Sequence, residues 1–237
     1  MQPHLCHTTE VRWFLPGGQN DTAWLTWFLA DNTLPLLQEE EPPPGNTLFA
    51  LAEASRLDRY MIVPENGQFS IKQRQGNLEV KVQLPASEPF RQDEISGSAN
   101  QWMKWSFAPR DEALKTAFTG DLQLSASWID VEKHRYLIEA GWEQEKGLTP
   151  PTDSCEPSCQ FELTQLNLPT AAAGPHPWLT FAIELTVCAD QPPVSLADVC
   201  RSFVGLRGLP PSPLTLSDSH SYPSWLAARL SASAPTS

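Results

Sequence analysis

From Thr8 onward the apolar and polar residues of this chain alternate mostly with a period of two, the signature of β-strands. In residues 8–14, Thr8, Glu10 and Arg12 share one face, and Thr9, Val11 and Trp13 share the other. In residues 69–74, Lys72 and Arg74 fall on one face. Gln75-Gly76-Asn77 then supplies a hairpin turn, because Gly and Asn tolerate positive φ. On the return strand Leu78, Val80, Val82 and Leu84 point one way, and Glu79, Lys81 and Gln83 the other. The same reading predicts strands at 56–62, 101–107, 121–128, 131–138, 160–166 and 178–187. In the last of these, Leu179, Phe181, Ile183, Leu185 and Val187 oppose Thr180, Ala182, Glu184 and Thr186.

Helical spacing is rarer. Trp24, Trp27 and Phe28 predict a helix over 20–30, with Asn20 or Asp21 as N-cap. Leu196, Val199, Cys200 and Phe203 predict a second, ended by Gly205. Pro223 opens a short third through Trp225, Leu226 and Leu230. Many strands with few helices predict a mainly β (α+β) fold, closed into a barrel or packed as a sandwich. Proline clusters at 42–44, 150–151, 192–193 and 210–211 read as loops, and none separates two self-sufficient segments. The expectation is a single domain over 1–237, with a helical C-terminal segment at about 194–230.

Composition narrows the picture. A chain of 237 residues with 41% hydrophobic and 19% charged residues is long and apolar enough to bury a core. Its net charge of -12 argues against binding nucleic acid or an anionic membrane, since both reward basic surfaces. Apolar runs are too short for a membrane helix, and Met1–His7 does not read as a signal peptide, so a cytoplasmic protein is expected. Five cysteines, at 6, 155, 159, 188 and 200, form no disulfide framework and read as reduced thiols. Neither His4, Cys6 and His7 nor Cys155 and Cys159 show the paired ligand clusters of a closed zinc site.

The unusual feature is where the cations fall. Arg12, Lys72, Arg74, Lys81, Lys104, Lys133 and Arg135 all lie on predicted strands of an acidic protein. Lys72 with Arg74, and Lys133 with Arg135, aim two cations the same way from one strand. Glu10 shares a face with Arg12, while Glu162 and Glu184 sit mid-strand. If these faces line one interior, the cations can neutralise phosphoryl oxygens and the carboxylates can hold a hard divalent metal. His134 falls on the face opposite Lys133 and Arg135. The nine Trp residues read as packing anchors, though Trp102 shares a face with Lys104. No Gly-rich phosphate loop of the P-loop or Rossmann kind occurs.

These residues give the chain a resemblance to the CYTH superfamily, the triphosphate tunnel metalloenzymes, and within it to divergent bacterial members. It runs from Glu10 to about Glu184 and is most specific over 56–84. The resemblance implies an antiparallel eight-stranded tunnel-like β-barrel with a few flanking helices. It also implies triphosphate or polyphosphate bound inside, hydrolysed with Mg²⁺ or Mn²⁺. The family's opening Glu-x-Glu-x-Lys is matched by Thr8-Thr9-Glu10-Val11-Arg12, with threonine in place of the first glutamate and arginine in place of lysine. By the same resemblance Arg12, Lys72, Arg74, Lys81, Lys133 and Arg135 are expected to bind the phosphates. Glu10 and Glu162 are the catalytic carboxylates, joined by Glu184 as metal ligands.

Two functions follow. One is metal-dependent hydrolysis of a triphosphate or polyphosphate. The other is a non-catalytic phosphate or polyanion-binding module whose metal site has eroded. Threonine for glutamate removes a negative charge from the metal site, which threatens turnover more than phosphate binding. A third possibility is a scaffold whose inner charges only pair with one another, at the cost of desolvating each.

Overall fold

The computed structural model describes residues 7–18, 20–29, 50–63, 67–107, 127–151, 157–168, 177–187 and 193–231. Ten strands lie within them: β1 (His7–Pro16), β2 (Ala50–Ala52), β3 (Arg56–Ile62), β4 (Phe69–Arg74), β5 (Asn77–Gln92), β6 (Ile95–Phe107), β7 (Ser127–Glu143), β8 (Gly147–Thr149), β9 (Ser158–Asn167) and β10 (Trp178–Val187). Three helices accompany them: α1 (Asp21–Leu29), α2 (Leu196–Arg207) and α3 (Tyr222–Ser231). None is long and apolar enough to cross a membrane.

Eight strands close an antiparallel barrel in the order β7-β3-β4-β5-β6-β1-β10-β9, and β9 returns to β7. Strand β7 makes closure possible because it is long. Its residues 127–133 pair with β3, and its residues 132–141 pair with β9. Strands β2 and β8 attach to β7 outside the circuit.

Alternation gives the wall two different faces. On β1, β9 and β10 the outward residues are apolar: Val11, Trp13 and Leu15, then Phe161 and Leu163, then Leu179, Phe181, Ile183 and Leu185. They pack against Trp24, Trp27 and Phe28 of α1, and against Leu196, Val199, Cys200 and Phe203 of α2. Phe181 is the hub, with rings of Trp13, Trp24, Trp27, Phe28 and Phe203 all around it. Phe161 stacks on Phe203 at 3.9 Å. The principal core therefore lies outside the barrel wall, and the interior is left for polar residues. Gly97 permits the close approach of β6 to β1: a Cβ there would meet Val11 Cγ2 at 2.8 Å and Ser219 Oγ at 2.9 Å.

One end of the interior is apolar and sealed. Phe14, Tyr60, Ile62, Ile129, Val131 and Leu166 meet Trp225 and Leu226 of α3. Phe14 stacks on Trp225 at 4.4 Å, and Trp178 meets Trp225 edge-on at 5.3 Å.

Several elements differ from the sequence reading. The hairpin turn places positive φ on Gln75 and Gly76, and Asn77 already belongs to β5. Strands β5 and β6 are longer than their patterns, running to a second hairpin where Asp93 takes φ 50. Pro85 and Pro89 obscured that extension; Pro85 falls where the register shifts, between Gln83 and Ser87. The predicted strand 121–128 overlaps the described residues only at Ser127 and Trp128, which begin β7. Helix α2 runs through Gly205 and ends at Gly208, which takes φ 76 and donates its N–H to the Val204 carbonyl. Helix α3 begins at Tyr222, one residue before its proline. His4, Cys6, Cys155 and Cys188 lie outside the described residues, and His7 begins β1.

Candidate functional site

Above the apolar floor the barrel interior is a charged cavity of about 120 Å³. The predicted site residues Glu10, Arg12, Lys72, Arg74, Lys81, Lys133, Arg135, Glu162 and Glu184 all line it. The shared face follows from even numbering on β1, β4, β9 and β10 and odd numbering on β5 and β7, where the pleat turns each set inward. Lys104 and Trp102 join from β6, as their shared face implies. The sequence reading did not assign Arg56, Tyr60, Glu79 and Tyr222 to the site, yet they line it too. Beneath them Asp58 is fully enclosed.

The cations become less exposed inward. The side chain of Lys104 is 37% exposed, Arg74 25%, Lys72 13% and Lys133 only 3%. The mouth is thus at the Lys104 and Arg74 side, and the closed end lies at Lys133 and Tyr222.

Every one of the eight lining cations has a carboxylate within 4.0 Å. At the centre, Arg12 reaches Glu10 through Nε at 2.7 Å and Glu162 through a terminal nitrogen at 2.7 Å. The second oxygen of Glu162 takes Nε and a terminal nitrogen of Arg135, and Arg135 also donates to Glu53 at 2.8 Å. Lys81 lies 3.5 Å from Glu10 and 3.6 Å from Glu184, residues that face each other in register on β1 and β10. Deeper in, Lys133 donates to Tyr60 Oη at 2.6 Å and lies 3.1 Å from Asp58. Arg56 lies near Asp58 and Glu53. Nearer the mouth, Glu79 is ringed by Lys72 at 3.0 Å, Arg74 at 3.8 Å and Lys104 at 3.7 Å. Eight basic side chains meet six carboxylates, counting Glu53 and Asp58 beside the four lining glutamates, so basic groups outnumber acidic ones in the network.

The electrostatics follow. Burial pushes the Glu10 carboxyl up, but Arg12 and Lys81 outweigh it and hold the pKa at about 2. Burial likewise opposes charge on Asp58, yet Lys133, Lys72 and Arg56 bring it to about 2. Against the same burial, Arg12, Arg135 and Lys133 keep Glu162 well below the usual carboxylate range. Burial wins at Lys133 and Lys72, whose pKa values fall. At Lys81 it loses to Glu184 and Glu10, and the pKa rises.

The donor set does not fit a divalent metal. Among the described residues no three His, Cys, Asp or Glu side chains converge as a metal-holding group. The position between Glu10 and Glu162 is taken by the Arg12 guanidinium, and that between Glu10 and Glu184 by the Lys81 ammonium. Thr8 stands on the same face as Glu10, with its buried hydroxyl unpartnered. It offers one neutral oxygen where a carboxylate would compete for a cation.

Among the described residues, His134, Cys159 and Cys200 lie outside the site. His134 points away, 3.8 Å from Glu132. Cys159 and Cys200 are free, buried in the outer core and pushed up to about 12 by burial, so they stay protonated and unreactive. Fold and site together define a closed antiparallel β-barrel with a blind, cation-rich cavity. Comparison with family models and with curated proteins returned no match.

Proposed function

We propose that this protein is a CYTH-like barrel that binds a small phosphate-rich anion, a triphosphate or the end of a short polyphosphate, without needing a divalent metal. The observation that carries this is the excess of cations in one blind cavity, graded from an accessible mouth to a closed floor. Charge-assisted hydrogen bonds from guanidinium and ammonium groups suit phosphoryl oxygens. The cavity is far smaller than the roughly 300–1,000 Å³ of pockets that hold drug-sized ligands, which favours an inorganic chain over a whole nucleotide.

Binding would begin at Lys104, Arg74 and Lys72, where one carboxylate serves three cations. It would then extend toward Lys81 and Arg12. The anion need not break every ion pair, because basic side chains outnumber carboxylates in the network. A metal-dependent phosphohydrolase is the second reading, and the register pair Glu10 and Glu184 favours it. It requires the metal to displace Lys81 or Arg12.

Thermal unfolding with and without tripolyphosphate, each with and without Mg²⁺, tests both, paired with a colorimetric assay of phosphate release. Anion binding raises Tm by mass action. Lys72→Ala combined with Arg74→Ala should abolish the rise. A shift that ignores Mg²⁺, with no phosphate released, is the expected result. Release that depends on Mg²⁺ or Mn²⁺ would establish the hydrolase. No shift under any condition would leave a self-paired scaffold.

A further inference from the structure

Tyr222, the first residue of α3, sits where the charged cavity meets its apolar floor. Its ring stacks on Tyr60 at 5.5 Å and meets Phe14 edge-on at 5.2 Å. Lys133 Nζ lies 4.0 Å from the ring centroid and the Arg12 guanidinium carbon 4.8 Å from it. Both are cation–π contacts, and they fix the ring between two cations.

The hydroxyl is shut off from solvent and has no hydrogen-bond partner among the described residues. Buried polar atoms in folded proteins are nearly always satisfied, and an exception at a cavity calls for a water or a ligand. The neighbouring phenol shows the contrast: Tyr60 Oη accepts from Lys133 and donates toward Asp58. Among the described residues no carboxylate accepts from it: Asp58 Oδ1 also lacks a hydrogen bond, and the other oxygens nearby face cations. Glu162 holds Arg12, Arg135 and Thr164, and Asp58 holds Lys133 and Lys72. Burial raises the pKa of the Tyr222 phenol, so it keeps its proton and can only gain by donating it to an acceptor.

We propose that Tyr222 is a ligand-contacting residue: its hydroxyl donates to an oxygen of the bound anion at the inner end of the cavity, beside Arg12 and Lys133. The C-terminal helix is then part of the binding site as well as its seal. This assignment rests on the anion-binding reading and deepens it, because it fixes how far into the barrel the anion reaches.

Tyr222→Phe in the full chain is the test, since it removes one oxygen and keeps the stacking. Tripolyphosphate affinity is measured by calorimetry and the stability of the unliganded protein by denaturant unfolding. The expected result is an affinity weakened about tenfold, in the range for a hydrogen bond to a charged group. Unliganded stability should be unchanged or higher, because an unsatisfied hydroxyl has been deleted. Unchanged affinity in Y222F overturns the assignment. So does a loss of unliganded stability with affinity retained, which would give the hydroxyl a partner inside the protein. If wild type itself fails to bind tripolyphosphate, the anion reading falls and takes this assignment with it.

Discussion

Glu162→Gln should destabilise the barrel and strengthen its response to anions. Glu162 accepts three guanidinium hydrogen bonds at the centre of the cavity: one from Arg12 on one oxygen at 2.7 Å, two from Arg135 on the other. All three side chains are at most 11% exposed, so solvent screens little of the interaction. Removing one partner of a buried ion pair strands the other charge, at about 3–5 kcal/mol. For a chain of this length ~1 kcal/mol moves Tm by ~2–4 °C, which gives a loss of roughly 6–20 °C. Glutamine still accepts one hydrogen bond through its carbonyl, which places the expectation toward the lower end. The two released guanidiniums would then accept phosphoryl oxygens, so tripolyphosphate should raise Tm by more in E162Q than in wild type. Differential scanning fluorimetry over a tripolyphosphate series reads both effects at once. A variant melting within about 2 °C of wild type would refute the claim that the central pairs hold the barrel. A large loss of Tm that tripolyphosphate does not offset would refute the claim that an anion replaces the carboxylate.

Other substitutions probe different parts of the structure. Glu79→Gln removes the carboxylate that Lys72, Arg74 and Lys104 share at the mouth, and should tighten tripolyphosphate binding about tenfold (~1.4 kcal/mol) by calorimetry; weaker binding would mean Glu79 orients those cations instead of competing for them. Glu10 and Asp58 titrate at about 2 in the folded protein, below their ordinary 4.5 and 3.8. A depressed carboxylate stabilises the fold above its unfolded pKa and loses that contribution as pH falls through the folded value. Circular dichroism should therefore show unfolding between about pH 4 and pH 2, and a signal unchanged down to pH 2 would contradict the pairing. Phe181→Ala should cost about 3–5 kcal/mol by urea unfolding, since it empties the hub of the outer core. Its affinity for the anion should be unchanged, because that core lies on the other side of the wall.

Much of the cavity was legible because alternation is unforgiving. Once Glu10 and Arg12, Lys72 and Arg74, or Lys133 and Arg135 share a face, closure of the barrel sends them to one place. Other parts were hidden for physical reasons. Arg56, Asp58 and Tyr60 sit on a short strand whose outward residue Leu57 is 59% exposed, so no apolar face marks its orientation. Glu79 was visible on the face of Lys81, but its three partners come from β4 and β6, and only pairing brings them together. Tyr222 joins the site through Arg12 of β1, Tyr60 of β3 and Lys133 of β7, all far from it in the sequence. Local periodicity carries no signal for that. It did predict the helix, though not its place across the end of the barrel. Paired ions were equally invisible: the sequence shows that Arg12 and Glu162 face inward, but only the coordinates show the guanidinium standing between two carboxylates.

Storing half of the 16 Lys and Arg inside the barrel also shapes the protein as seen from a distance. The network takes six of the 28 Asp and Glu, so the rest of the chain holds many more carboxylates than cations. On the anion-binding reading, an approaching anion would first meet a repulsive field and would feel attraction only at the mouth. Added salt screens the outer field within about 10 Å at 0.1 M and screens the enclosed charges far less. Entry would then quicken with ionic strength even as the bound state weakens, the reverse of electrostatic steering. Long polyanions, which cannot withdraw from the acidic exterior, pay that repulsion along their whole length. Short ones would meet it once, so on that reading the charge distribution would select by size before any side chain is touched.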